Sequence, residues 1–308
     1  MATVVMTGGT SGFGAIAARR MLAVGDVRLI LGARDTTGAG ERIGVDLTSL
    51  DAVRTFADEV RDRLDGGDAG SAEGIAALVL NAGLIRPDAD GRTPDGYETT
   101  FAVNHLAHYL LLRLLLPALA PGAVVLLTTS GTHDPATKAS LVTPRHAEAE
   151  LLAYPERDPG LDTRPAKAGQ HAYTASKLCA VLTVRALQSR PEAGERQVSA
   201  LAYDPGQVFG TGLAQHLALP LRLAWSLLGT PAGAPMRRFS PTLNSRAAAG
   251  NTLAELALDR GSRPPGGAYA ALRRGHLTWT TEPSLQARSD KAAQALWQDS
   301  ARLVGLAD

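Results

Sequence analysis

The chain has 308 residues, enough to bury a sizeable core as one large α/β domain or as two small ones. Its 31 Lys and Arg residues balance 30 Asp and Glu residues, so its charge favours no nucleic acid, anionic membrane or acidic partner. The single cysteine, Cys179, excludes an internal disulfide and a cysteine-based structural zinc site. A reducing compartment and a small-molecule partner are therefore predicted.

Neither the N-terminus nor the most apolar internal stretch has the pattern of a targeting or membrane segment. The first residues lack a basic start, a sustained apolar run and a small-residue cleavage site, so a cytoplasmic protein is predicted. The apolar stretch 213–228 is interrupted by Gln215, His216, Pro220 and Arg222 and is too short and too polar to span a bilayer. No transmembrane segment is expected, and this stretch could be a lid, a membrane-surface helix or an interface.

Short β-rich runs alternate with longer helical patterns through the first two-thirds of the chain. Strands are predicted near 3–7, 27–32, 75–80, 123–129 and 198–203. Helices are predicted near 13–24, 49–64, 97–117 and 172–190. This alternation predicts an α/β fold with one doubly wound, Rossmann-type parallel sheet and helices on both faces. The simplest interpretation is a single domain over 1–308, whose proline-containing insertions 131–171 and 209–242 form a substrate region.

A glycine-rich loop joins the first predicted strand to the first helix. Glycines allow the tight turn and close backbone approach that a pyrophosphate needs, and the helix N-terminus then faces the phosphates. The candidate cofactor-binding residues of this loop are Gly8, Thr10, Ser11, Gly12, Phe13 and Gly14. A glycine motif alone also fits a plain turn, but its position after the first strand favours a dinucleotide. The spacing of the glycines behind Thr7 resembles that of the short-chain dehydrogenase/reductase family.

The end of the second strand bears on the choice of cofactor. An NAD-selective protein would place an acidic residue there to bind the ribose hydroxyls. This chain has Arg34, whose guanidinium can pair with a 2′-phosphate in fork geometry. NADP(H) is therefore the predicted cofactor, with a solvated surface arginine as the alternative and the neighbouring Asp35 as a contrary feature.

A phenol and an ammonium lie four residues apart at Tyr173 and Lys177, and hence on one face of a helix. A nearby cation is expected to lower the pKa of the phenol from about 10 towards the range of a general acid or base. Ser130 ends an apolar strand at the edge where a substrate carbonyl would lie, and its hydroxyl can hydrogen-bond that oxygen. The family resemblance makes these three residues catalytic and adds Asn104, which would hold a water that relays protons to Lys177. A buried helical asparagine can otherwise have a purely structural role.

The same resemblance implies two groups of cofactor contacts. The adenine and ribose group comprises Asp46, Leu47, Asn81, Ala82 and Gly83. The nicotinamide group comprises Tyr173, Lys177, Pro205, Gly206, Val208 and Thr211. Asn81 is also expected to steady the sheet, and each short motif alone fits an ordinary turn.

The outer parts of the chain resemble the retinol dehydrogenase and light-dependent protochlorophyllide reductase branch of the family. The resemblance rests on the run 104–111, the long insertion between Ser130 and Tyr173, and the C-terminal stretch 295–306. Cys179 also occupies a position where the photoenzymes carry cysteine. Gln207 departs from the photoenzymes, which have a cysteine directly after the Pro-Gly turn. A small buried helix residue is the favoured interpretation of Cys179.

The resemblance implies an NADPH-dependent oxidoreductase that transfers a hydride between nicotinamide and a bulky hydrophobic ketone or aldehyde, or the corresponding alcohol. Tyr173 would be the general acid or base, and no metal is required. The alternatives are a light-dependent protochlorophyllide-type C=C reductase and a non-catalytic NADP(H)-binding protein. The histidines lack ligand spacing, and His105 and His108 are expected to pack or bond within their helix. Related proteins often pair through long helices, so a homo-oligomer is an open alternative.

Overall fold

An eight-stranded, mostly parallel β-sheet forms the centre of the fold. The computed structural model describes residues 1–66, 74–209, 240–258, 264, 268–280 and 283–307. The strands are β1 (Ala2–Thr7), β2 (Val27–Ala33), β3 (Glu41–Gly44), β4 (Ile75–Leu80), β5 (Leu119–Thr128), β6 (Ser199–Asp204), β7 (Gln207–Val208), β8 (Leu243–Asn244), β9 (Tyr269–Arg273) and β10 (His276–Thr280). Across the large sheet the order is β10-β9-β6-β5-β4-β1-β2-β3. Its β9–β10 pair is antiparallel, and β7 pairs with β8 as a separate ribbon.

Helices cover both faces of this sheet. They are α1 (Gly12–Leu22), α2 (Leu50–Asp65), α3 (Thr99–Phe101), α4 (Ala107–Leu115), α5 (Ala149–Ala153), α6 (Pro165–Gln188), α7 (Pro191–Glu195), α8 (Arg246–Ala257) and α9 (Asp290–Leu303). The core on one face joins the sheet to α2, α4, α6 and α9, and the core on the other face joins it to α1 and α8. The predicted doubly wound α/β fold is confirmed.

The central strands are apolar along their whole length because both of their faces are buried. In β1, Val4, Val5 and Met6 are each fully buried; Val5 belongs to the α2 side and its two neighbours belong to the α1 side. This alternation is what a period-two strand between two helical layers requires. Because both faces of such a strand are packed, the position of its carboxyl end, where a functional loop begins, is fixed.

The long helices differ from their predicted bounds in two places. Helix α6 begins at Pro165, several residues before the predicted start at 172, because proline is favoured in the first turn of a helix. The predicted helix over 97–117 is one helical run with a π-helical turn at Ala102–Leu106 between α3 and α4. Of the helices in the described residues, this run is long and apolar enough to cross a membrane. However, 78% of its apolar 18-residue segment is buried within the fold.

The parallel strands β2 and β3 are joined by the loop 34–40 rather than by a crossover helix. A helical crossover is the usual link between parallel neighbours. Gly40 lies in this loop, where an added Cβ would contact Leu22 and Leu31, so the loop itself covers the apolar side chains that a helix would otherwise cover. The sequence interpretation missed β3 as a strand.

The C-terminal helix α9 and the residues after it are held through main-chain carbonyl groups. Four side chains from α2, α4 and the loop before α3 donate to them: Arg54 to Val304, Tyr97 to Leu303, Tyr109 to Trp297 and Arg113 to Ala307. The Arg113 guanidinium also lies 5.2 Å from the centre of the Trp297 ring. These contacts fix α9 against the side of the sheet that carries α6.

The two predicted insertions have different outcomes. Residues 131–164 form short helical turns and α5, and they lead into α6. Most of the second insertion, residues 210–239 with the apolar stretch 213–228, lies outside the described residues.

Candidate active site

The loop between β1 and α1 has the geometry of a phosphate-binding turn. Gly8 and Gly12 have φ angles of +68° and +57°, a region that favours glycine. A Cβ on Gly14 would overlap the Gly8 carbonyl oxygen. Ser11 is exposed and its side chain does not cap α1, so the first N–H groups of this helix are available to an anion. Thr10 is exposed beside it, and Phe13 is half-buried against the α1 face of the core.

Arg34 lies in the loop directly after β2, is exposed, and forms no ion pair with any residue that the structure describes. The neighbouring Asp35 carboxylate accepts hydrogen bonds from the Thr37 N–H and hydroxyl, which lower its pKa. Arg42, on β3, donates to the Asp35 carbonyl oxygen at 3.2 Å. Since the acidic side chain is engaged within the loop, Arg34 is available to a ligand phosphate.

Two predicted adenine contacts follow β3. The Asp46 carboxylate is exposed and accepts from the Thr48 N–H at 3.0 Å, so in this structure it shapes its own turn. Leu47 is half-buried and packs against the core on the α2 side of the sheet. Their predicted contact with an adenine stays a prediction.

Asn81, at the end of β4, joins three strand ends. Its Nδ2 donates to the Gly8 carbonyl oxygen at 3.0 Å, and its Oδ1 accepts from the Thr128 hydroxyl at 2.9 Å. Its N–H donates to the Thr7 hydroxyl at 3.1 Å. The structural role expected for this asparagine is therefore present. Ala82 follows Asn81 and lies against Gly8. A Cβ on Gly8 would be only 2.7 Å from the Ala82 Cα.

Asn104 lies in the π-helical turn and is 7% exposed. Its Oδ1 accepts from the Leu84 N–H at 2.8 Å, and its Nδ2 donates to the Leu84 carbonyl and to the Ser176 hydroxyl. A Cβ on Gly83 would lie 3.3 Å from Asn104 Oδ1 and 3.5 Å from Lys177 Nζ. The structure thus brings Asn104 and Lys177 close to the same position beside Gly83; the proton relay between them stays a prediction. π-turns of this kind are frequent at functional sites.

Ser130, Tyr173 and Lys177 meet at the carboxyl end of β5. The Lys177 Nζ lies 5.6 Å from the centre of the Tyr173 ring and donates to the Thr128 carbonyl at 3.1 Å. Ser130 lies close enough to Tyr173 for its hydroxyl to act against the rise in the pKa of the phenol. Tyr173 is 7% exposed and Lys177 is 6% exposed. The four-residue spacing on α6 therefore produces the predicted cluster.

The ionisation of this cluster differs from the sequence expectation. Burial raises the pKa of Tyr173 to about 12; the Ser130 hydroxyl opposes this rise and the negative charge of Asp204 adds to it. Burial lowers the pKa of Lys177 to about 8, and Asp204 opposes that change. The expected lowering of the tyrosine pKa by the lysine is not found: burial of the phenol is the largest influence, and Lys177 is not among the groups that shift this pKa. Near neutral pH the phenol is protonated and is set to donate its proton.

Asp204 is a functional candidate that the sequence interpretation did not select. Its carboxylate is fully buried, and Oδ2 lies 2.7 Å from Arg273 Nη2 and 3.4 Å from the Tyr269 hydroxyl. Its Oδ1 accepts from the Gly206 N–H. His133 extends this cluster, since its Nε2 lies 3.3 Å from the Tyr269 hydroxyl. The Asp-Pro-Gly sequence was a signal for a turn, but no sequence pattern pointed to the distant Arg273.

The predicted nicotinamide turn follows Asp204. Gly206 has a φ of +71°, and Pro205 is held by Asn244, whose Nδ2 donates to its carbonyl at 3.0 Å. Val208 is buried, whereas Gln207 is exposed. Thr211, the last predicted contact of this group, lies outside the described residues.

Cys179, His105 and His133 are engaged in the core. Cys179 is fully buried and burial raises the pKa of its thiol, in agreement with the prediction of a small inert helix residue. His105 bonds Ser300 and His133 bonds Ser284, each across the fold. Within the part of the chain that the structure describes, no group of His, Cys, Asp and Glu side chains could hold a metal ion.

Together these features define a class of protein. The glycine turn, with a close approach that only glycine allows, fits a dinucleotide pyrophosphate. The buried phenol, hydroxyl and ammonium lie at the carboxyl edge of the same parallel sheet, which is where such folds bind ligands. This is the arrangement of a dinucleotide-dependent oxidoreductase.

Comparison with known proteins identifies the family. Residues 2–140 match the family model described as short chain dehydrogenase. The chain is 31% identical to protochlorophyllide reductase A of Oryza sativa subsp. japonica, over 98% of this chain and 80% of the relative, and 30% identical to protochlorophyllide reductase B of the same plant, over 99% and 78%. A crystal structure of an uncharacterized protein from Mycobacterium paratuberculosis superposes with a TM-score of 0.66 and 27% identity, over 99% of this chain and 94% of the other.

The chain belongs to the short-chain dehydrogenase/reductase family and, within it, to the branch that resembles the protochlorophyllide reductases. It is therefore an oxidoreductase of a family that binds a nicotinamide cofactor and acts on small molecules.

Proposed function

We propose that the protein is an NADPH-dependent carbonyl reductase, or alcohol dehydrogenase in the reverse direction, with Tyr173 as its general acid. The observation that carries this proposal is the cluster of Ser130, Tyr173 and Lys177 beside Asn104. A bound nicotinamide supplies or accepts the hydride. The cluster orients the substrate carbonyl and supplies the proton.

Each residue of the cluster has a distinct part in the proposed reaction. The Ser130 hydroxyl donates to the substrate carbonyl oxygen and orients it. The Tyr173 phenol, which is protonated near neutral pH, gives its proton to the same oxygen as negative charge develops there. Lys177, charged below about pH 8, stabilises the phenolate that Tyr173 leaves behind. Asn104 fixes the loop around Leu84 and Gly83 on the lysine side of this cluster.

The preference for NADPH is supported by Arg34. This arginine is exposed and unpaired among the described residues, while the adjacent Asp35 carboxylate is engaged by Thr37. A guanidinium binds a phosphate with paired, charge-assisted hydrogen bonds. An acidic side chain free to bind the ribose hydroxyls of NAD is absent from the described part of this loop.

The proposed substrate is a bulky, apolar ketone or aldehyde, and this part of the proposal rests on the sequence. The leucine-rich stretch 213–228 offers more apolar surface than a connection needs and would cover a hydrophobic substrate. A lid, a membrane-surface helix and an interface are the alternatives for this stretch. The cytoplasmic location stays a prediction of the sequence.

A second candidate function is reduction of a C=C bond in a protochlorophyllide-like substrate. It is favoured by the identity of about one residue in three to protochlorophyllide reductases over almost the whole chain. Gln207 and the buried Cys179 count against it, because no thiol reaches the proposed substrate side in the described residues.

The decisive experiment follows the absorbance of NADPH and NADH with purified protein and a panel of apolar ketones and aldehydes, in darkness and under illumination. Consumption of NADPH in darkness supports the proposal; equal use of NADH contradicts the role of Arg34. Turnover that needs light and a porphyrin-like substrate favours the second candidate.

The role of Tyr173 is tested by Tyr173→Phe. Turnover should fall by about 10²–10⁴-fold while NADPH binding, followed by fluorescence, is retained. Tyr109→Phe is the matched control, because that buried hydroxyl bonds the Trp297 carbonyl away from the cluster. Unchanged turnover in Tyr173→Phe would contradict the assignment. Cofactor binding without turnover in the wild-type chain would instead favour a non-catalytic NADP(H)-binding protein.

A further inference from the structure

His108 bridges the cofactor loop and Asn104 through its two ring nitrogens. Its Nε2 lies 2.9 Å from the Thr7 hydroxyl, at the end of β1 where the glycine loop starts. Its Nδ1 lies 3.2 Å from the Asn104 carbonyl oxygen in the π-helical turn. The side chain is 3% exposed. The bond to Asn104 lies within the helical run, as expected, whereas the bond to Thr7 leaves it.

The hydrogen bonds of Thr7 determine which ring nitrogen carries the proton. The Thr7 hydroxyl accepts from the Asn81 N–H at 3.1 Å and from the Ala82 N–H at 3.2 Å. A hydroxyl has two acceptor positions and one proton, so its proton is left for His108 Nε2. A neutral imidazole that accepts at Nε2 carries its proton on Nδ1, which then donates to Asn104. Burial lowers the pKa of His108 to about 4, and nearby Lys177 lowers it too, so the ring is neutral near pH 7.

The other end of this chain of hydrogen bonds reaches the main chain of Tyr173. The Asn104 side chain is engaged by Leu84 and by Ser176, whose hydroxyl donates to the Tyr173 carbonyl. The main chain of the same residue is held separately, by the bond between His108 Nδ1–H and the Asn104 carbonyl oxygen. A Cβ on Gly83 would lie within 3.5 Å of both Asn104 Oδ1 and Lys177 Nζ, so a shift of Asn104 changes the surroundings of the ammonium.

We propose that His108 is a positioning residue. Its Nδ1–H holds the Asn104 main chain, and its Nε2 keeps that tautomer by accepting from Thr7. The inference rests on the proposed function, because it assigns His108 to the cluster around Tyr173 and Lys177. His108 acts through Asn104 and is not itself a proton donor to the substrate.

The tautomer is tested without cofactor or turnover. In the uniformly ¹⁵N-labelled protein near pH 7, long-range ¹H–¹⁵N spectra separate a ring protonated at Nδ1 from one protonated at Nε2. The signal that is missing in His108→Asn identifies the residue. We expect protonated Nδ1 and unprotonated Nε2. A ring protonated at Nε2, or at both nitrogens, would overturn the proposal, because Nε2 could then not accept from Thr7.

The positioning role is tested by two substitutions, each of which keeps a polar group at the place of one of the two ring nitrogens. The asparagine amide in His108→Asn occupies the place of Nδ1 and can still donate to the Asn104 carbonyl. The glutamine amide in His108→Gln occupies the place of Nε2 and reaches Thr7 alone. Loss of the bond to Asn104 should lower kcat about tenfold in His108→Gln, while His108→Asn stays within about threefold of wild type. NADPH affinity should change little in both variants.

The matched controls are His105→Asn and His105→Gln, since His105 lies next to Asn104 in the π-helical turn but bonds Ser300. We expect both to keep the wild-type kcat. Equal losses of kcat in the two His108 variants would show that packing matters rather than the Nδ1 bond, and wild-type kcat in His108→Gln would remove the role altogether. A wild-type chain that reduces no carbonyl would contradict the proposed function and leave the tautomer measurement valid.

Discussion

The substitution Asp204→Asn removes a buried negative charge and keeps the shape of the side chain. Asp204 is fully buried, and its carboxylate binds Arg273, whose side chain is 24% exposed, together with Tyr269 and the Gly206 N–H. An asparagine oxygen can replace only one of the two carboxylate oxygens, so its amide faces either the guanidinium or the Gly206 N–H, both of which are donors. Breaking a buried pair from one side costs about 3–5 kcal/mol. Because Arg273 can still reach solvent, we expect about 3 kcal/mol, which lowers Tm by roughly 4–5 °C in a chain of 308 residues.

Thermal unfolding followed by circular dichroism measures this effect. The double variant Asp204→Asn with Arg273→Met is the control, because removal of both charges leaves no unpaired ion and should restore part of the lost stability. The same substitution should lower the pKa of Lys177 further below about 8, since the carboxylate favours the charged ammonium. The alkaline limb of the reductase pH profile should then move to lower pH. A Tm within about 2 °C of wild type would refute the view that this carboxylate is desolvated and paired.

Three other predictions concern the same site. In the wild-type chain, carbonyl reduction should decline as pH rises through about 8, where Lys177 loses its charge while the phenol stays protonated; a pH–rate profile flat to pH 10 would contradict this. Gly14→Ala should abolish cofactor binding in a fluorescence titration, since the new Cβ would overlap the Gly8 carbonyl; Gly194→Ala is the control, because nothing lies within 4 Å of a Cβ there. Arg34→Ala should raise the KM for NADPH about tenfold and leave that for NADH unchanged, and parallel changes in both would show that Arg34 does not contact the 2′-phosphate.

Features that depend on neighbours in sequence could be predicted. The glycine loop follows directly from β1, and Tyr173 and Lys177 share a helix face by spacing alone. Their positions after apolar strands predict that they lie at the carboxyl edge of a parallel sheet. The order of residues along the chain was enough for these predictions, because each residue lies in or next to one continuous strand or helix.

Features that depend on distant partners could not be predicted. Thr7 and His108 are separated by 101 positions, and Asp204 and Arg273 by 69. The tyrosine pKa shows a second limit: spacing indicated a nearby cation, but the depth of burial that raises the pKa to about 12 is a property of the folded core. The π-helical turn around Asn104 likewise has the same apolar pattern as an ordinary helix.

The position of α9 depends little on its own side chains, because other parts of the chain bond its main-chain carbonyl groups. Carbonyl oxygens, which every amino acid provides, accept the hydrogen bonds from Arg54, Tyr97, Tyr109 and Arg113. Exposed side chains of this segment can therefore change over evolution without loosening it from the body of the protein. The constraint falls on the donors in α2, α4 and the loop before α3, because the side chains of α9 itself take no part in these four bonds.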